Sequence, residues 1–98
     1  MGAELCDLKL IVVEPGHAGF IQSTLYILRW EAKIGDRRIY KSDDFNIGQT
    51  SYIDETRIRP GQFDEVDEMY NRMLNYLEGR GWRPEAYSNE WVSQMKRV

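Results

Sequence analysis

The chain has 98 residues, 42% of them hydrophobic and 30% charged, with a formal net charge of -3 at neutral pH. That balance lies on the globular side of the disorder boundary and predicts one domain over residues 1–98 with a thin core. A single cysteine, Cys6, and a single histidine, His17, exclude an internal disulfide and leave no Cys/His set for zinc.

Leu8 to Val13 (LKLIVV) is a β-branched run that stops at Pro15-Gly16. It reads as a central or well-covered strand, because both alternating faces are apolar near its end. Cys6, just before it, reads as a small buried hydrophobe. The longest apolar run, Leu10 to Val13, is too short to cross a membrane, and no secretory signal pattern opens the sequence. A cytoplasmic, non-membrane protein is the expectation. Pro15 to Gly19 (PGHAG) reads as a connecting loop.

Thr24 to Ile34 (TLYILRWEAKI) is the second expected strand. Tyr26, Leu28, Trp30, Ala32 and Ile34 share one face; Leu25, Ile27, Arg29, Glu31 and Lys33 share the other. Gly35-Asp36 is a hairpin signal, and Arg38 to Ser42 is the third strand. A two-residue loop sets Lys33 opposite Arg38, a like-charge pair. A three-residue loop avoids it, sets Glu31 opposite Lys41 and Arg29 opposite Asp43, and is preferred for that reason. Between Asp43 and Gly61 the pattern is least legible: 44–48 reads as a turn, and Tyr52-Ile53 with Thr56 to Ile58 as a short strand ending at Pro60-Gly61.

A helix is predicted from Gln62 or Phe63, with Phe63, Val66, Tyr70, Met73, Leu74 and Leu77 on one stripe. Acids crowd its first turns, where the helix dipole favours them. Gly79 and Gly81 are both candidates for a left-handed residue after it, and Trp82 is placed to fold back over the last turn. Arg83 to Tyr87 and Trp91 to Arg97 read as a closing hairpin about Ser88-Asn89, the first strand at an edge because of Pro84.

The expected fold is therefore α+β: a mainly antiparallel sheet of about five strands, in the order β-β-β-α-β-β, with one long helix on one face. No nucleophile elbow, phosphate loop or calcium-loop pattern is present in the sequence, and no catalytic residue, metal or cofactor is assigned. Asp64, Glu65, Asp67 and Glu68 have the spacing of a solvated helix start rather than of a metal site. The leading expectation is a small non-catalytic interaction or ligand-binding module. It self-associates through the sheet as a homodimer, or binds another protein, because Leu25, Ile27 and Val92 would lie on the face away from the helix. Two alternatives remain. One is an enzyme using His17 near a pocket roofed by 43–61. The other is nucleic-acid binding through the hairpin 29–41, where Arg29, Lys33, Arg37, Arg38 and Lys41 lie near Trp30 and Tyr40, though the acidic balance of the chain argues against it. The candidate binding residues are His17, Arg29, Arg37, Arg38, Tyr40 and Trp82.

Overall fold

The computed structural model describes residues 4–14, 24–49, 57–85 and 90–97. The elements follow in the order β1 (Leu5–Glu14), β2 (Thr24–Ile34), β3 (Arg37–Lys41), β4 (Phe45–Gln49), α1 (Asp64–Glu78), β5 (Trp82–Pro84) and β6 (Gln94–Arg97). They make the α+β fold expected from the sequence, with one further strand, β4, among the described residues. The sheet is antiparallel in the order β3-β2-β1-β6-β5, and β4 also pairs with β2. β1 is therefore a central strand, but β6 flanks it only over Leu5–Asp7, and its β-branched end from Ile11 pairs with β2 alone among the described residues. Pro84 sits on an edge strand, where its missing N–H leaves no ladder bond unmade.

β4 falls where the sequence pattern predicted a turn. Phe45 and Ile47 alternate, and pairing with Leu28 and Tyr26 brings both onto the helix side of the sheet. β3 and β4 thus lie end to end along one edge of β2. Ser42 bridges the break between them: its N–H donates to the Trp30 carbonyl and its Oγ accepts the Trp30 N–H, both at 2.9 Å. A side chain there does the work of a strand's backbone, so the buried Trp30 amide is satisfied where the ladder is interrupted.

The β2–β3 connection combines the two registers considered for it. Gly35, at φ 58°, and Asp36 form a two-residue turn, which sets Lys33 directly opposite Arg38. A bulge beyond that pair then restores Ala32 opposite Tyr40 and Glu31 opposite Lys41. The preferred three-residue loop is not what forms, and the like-charge pair is kept.

α1 covers one sheet face. Its stripe of Val66, Tyr70, Met73 and Leu77 packs against Tyr26, Leu28, Trp30 and Ala32 of β2, together with Cys6, Leu8, Ile47, Trp82 and Met95. Each fully buried aliphatic side chain of this kind stabilises by roughly 1.5–3 kcal/mol. The Trp30 indole N–H donates to the Val66 carbonyl at 3.1 Å, and the Tyr70 and Trp91 rings lie 5.1 Å from the Trp30 ring. At the helix start the Asp67 carboxylate accepts the Gly61 N–H at 2.9 Å. At its end Gly79 stays right-handed, and Gly81, at φ 93°, takes the left-handed conformation that reverses the chain into Trp82. The 52–56 part of the expected short strand and the turn at Ser88-Asn89 lie outside the described residues.

Candidate docking face

Strand alternation divides the sheet's side chains between two unlike faces. Cys6, Leu8, Leu10 and Val12 of β1 and Tyr26, Leu28, Trp30, Ala32 and Ile34 of β2 face the core. The odd-numbered residues form the outer face: Asp7 opposite Lys33, Lys9 opposite Glu31, Ile11 opposite Arg29, and Glu31 in turn opposite Lys41 on β3. β6 extends this face, with Lys96 opposite Leu5 and the Gln94 amide donating to the Asp7 carboxylate at 2.9 Å. A shallow depression of about 100 Å³ opens here, lined by Asp7, Lys9, Ile11, Glu31, Lys33 and Gly35.

Glu31 lies at the centre. It is 5% exposed, on a face where Lys9, Lys33, Lys41 and Lys96 are open to solvent. Its Oε2 accepts from Arg29 Nε at 2.6 Å and from Arg38 Nη1 at 3.2 Å. Burial pushes the carboxyl's pKa up, but the hydrogen bonds and charges of Arg29 and Arg38 outweigh it and hold the group below its ordinary value. Arg29 also approaches Asp44 at 3.8 Å. The two arginines are thus committed to acids of the chain. The lysines are not: among the described residues, no hydrogen bond or ion pair engages the side chain of Lys9, Lys33, Lys41 or Lys96. The face therefore carries surplus positive charge on a chain of net charge -3. The acids that offset it, Asp64, Glu65 and Glu68, are exposed on α1, on the other side of the sheet.

The six candidate residues separate in space. Arg29 and Arg38 meet on Glu31. Arg37 falls opposite Ile34 at the hairpin end and reaches Glu4 at 3.9 Å, away from that cluster. Tyr40 lies on the helix side, its ring 5.0 Å from that of Tyr76, and burial raises its phenol pKa. Trp82 is 1% exposed, with the Arg97 guanidinium 4.8 Å above its ring. His17 lies outside the described residues, as does the Thr50 to Thr56 part of the roof expected over it. Trp30 and Tyr40, expected beside the hairpin's cations, are on the opposite face from Lys9, Lys33 and Lys41.

The apolar residues expected to need covering are corrected in part. Val92 leaves the ladder and packs against the core, its N–H donating to the Tyr70 hydroxyl at 2.8 Å. Ile27 and Ile11 are half-buried, and neither joins the core cluster. The side chain of Leu25 is outside the described set.

Lys9 and Lys96 were not among the residues singled out from the sequence. The alternation Leu8-Lys9-Leu10 already points Lys9 away from the core. What joins it to the hairpin cations is the β1–β2 register, and Lys96 joins only through the pairing of chain ends. Cys6 is fully buried, and desolvation raises its thiol pKa, which suits an inert core residue. Among the described residues no cluster of His, Cys, Asp and Glu is placed to hold a metal ion, and no helix is long and apolar enough to cross a membrane. In comparisons with known proteins the chain matches no family model, no curated protein and no solved structure.

Proposed function

We propose that the chain is a small non-catalytic interaction module that docks an anionic partner on the outer face of its sheet. One observation carries this reading: Lys9, Lys33 and Lys41, from β1, β2 and β3, surround Glu31 on one face without making an ion pair among the described residues, and Lys96 of β6 extends the same face beyond Leu5. The register supports it. Lys33 stands across from Arg38 although like charges directly opposite destabilise a sheet by roughly 0.2–1 kcal/mol. A local rule broken in this way is expected at a functional surface.

Of the two partners considered, another protein is favoured over a second copy meeting face to face. Two such faces would bring two lysine-rich surfaces together, and like-charge juxtaposition selects against that pairing. A cytoplasmic setting, with Cys6 kept as a thiol, goes with this proposal.

The test is the affinity of the full chain for poly-L-glutamate, followed by fluorescence anisotropy at low and moderate salt. Neutralising Lys9, Lys33 and Lys41 together (K9Q, K33Q, K41Q) removes charges that no described residue uses, so the fold is retained. The affinity is expected to fall about tenfold or more, and added salt to weaken what remains. Arg72→Gln, on the exposed side of α1, is expected to leave binding unchanged. Equal loss in both variants contradicts the proposal.

A further inference from the structure

Resting on that reading, we infer that the occupant of the outer face is an acidic protein segment with apolar side chains among its carboxylates, rather than a nucleic acid. Three features of the face decide between these polyanions.

The first is where the aromatic rings lie. Proteins that hold single strands on a sheet stack bases on exposed aromatics, each worth roughly 1–3 kcal/mol. Here Trp30 is 2% exposed and Tyr40 packs on Tyr76, both on the helix side. No aromatic side chain of β1, β2 or β3 among the described residues shares the face with the lysines.

The second is the placing of the acids. Asp7 lies opposite Lys33, Glu31 lies between Lys9 and Lys41, and Asp44 lies beside Arg29. A phosphodiester chain carries a negative charge at every nucleotide and meets these acids as repulsion. A peptide can set a carboxylate on each lysine and an uncharged residue over each acid.

The third is the apolar strip. Ile11 and Ile27 flank Arg29 on the same face, outside the core cluster, and Val13 is 38% exposed at the bulge beside them. Asn46 lies opposite Ile27, and Gly48, with open space where a Cβ would stand, comes next along the edge. Apolar area bordered by unpaired cations has the anatomy of a protein interface, a small hydrophobic centre with a charged rim. Phosphates gain nothing from it.

The experiment compares three probes on the full chain under one buffer: a short peptide in which leucines alternate with pairs of glutamates, poly-L-glutamate, and oligothymidylate. Binding of each is measured by anisotropy to the wild type and to Ile11→Ser, with sedimentation velocity on the free protein. The mixed peptide is expected to bind best. Ile11→Ser, which removes apolar area and no charge, is expected to weaken it about fivefold to tenfold while poly-L-glutamate binding is unchanged. Oligothymidylate binding as tightly as the peptide, or a peptide affinity indifferent to Ile11→Ser, overturns the inference and leaves the docking face standing. Salt-sensitive self-association of the free chain that is lost in the triple lysine variant overturns it in favour of a second copy. Failure of all three probes removes the docking face itself.

Discussion

Glu31 is nearly buried on a face that is otherwise open to water, and its neighbours explain how that is tolerated. Arg29 and Arg38 supply two charge-assisted hydrogen bonds to one oxygen. Removing the carboxylate leaves both guanidinium groups facing a neutral amide and the surrounding lysines. Glu31→Gln is expected to cost about 1–3 kcal/mol at neutral pH. The pH dependence has a definite sign. Despite the desolvation that raises it, the hydrogen bonds and charges of Arg29 and Arg38 hold the folded pKa of Glu31 below its ordinary, unfolded value. Its contribution is therefore fully present above that unfolded value and is lost as the pH falls through the lower, folded one. Urea denaturation of both proteins across that acid range should show the wild type declining toward the variant. A constant difference across the range would show that Glu31 acts through packing alone.

At the scale of elements, the junction of α1 and β5 closes the core. Leu77 is 1% exposed near the helix end, Gly81 reverses the chain, and Trp82 enters the core at once. Trp82→Ala is expected to cost about 3–5 kcal/mol, because the sheet edge and helix end cannot both collapse into the space left by an indole. Chemical denaturation checks this; a loss below about 1 kcal/mol would mean that the ring packs less than its burial implies.

Which elements were legible follows from how locally each is specified. The span of β2 and the α1 stripe are set by side-chain period alone, and both are found as read. β4 was missed because two alternating apolar residues beside a glycine carry too little pattern. Its identity as a strand comes from pairing with Tyr26 and Leu28, some twenty residues earlier in the chain. The hairpin register differs from the expected one because a like-charge pair costs only roughly 0.2–1 kcal/mol and the bulge confines it to one position. The same limit applies to the site. Arg29 and Arg38 were found because one hairpin carries both, and Lys96 was not, because only the meeting of β6 with β1 brings it there.

Across the whole molecule, charge is sorted by layer. Unpaired lysines occupy the outer sheet face, while Asp64, Glu65 and Glu68 line the exposed side of α1. The net charge of -3 conceals this division, and an overall pI near 5.1 therefore argues against nucleic acid without arguing against a cationic surface. A partner of the acidic kind proposed would be drawn to one side of the molecule and repelled from the other, which would orient it before contact. Such steering weakens once the Debye length, about 10 Å at 0.1 M salt, is shortened further.

The central claim is that the outer sheet face, and not the helix side, receives the partner. Backbone amide shifts of the isotopically labelled full chain, followed through a titration with poly-L-glutamate, test it most directly. The largest shifts are expected on Lys9, Glu31, Lys33 and Lys41, with α1 unmoved. Shifts concentrated on α1, or no shifts at millimolar probe, would contradict it.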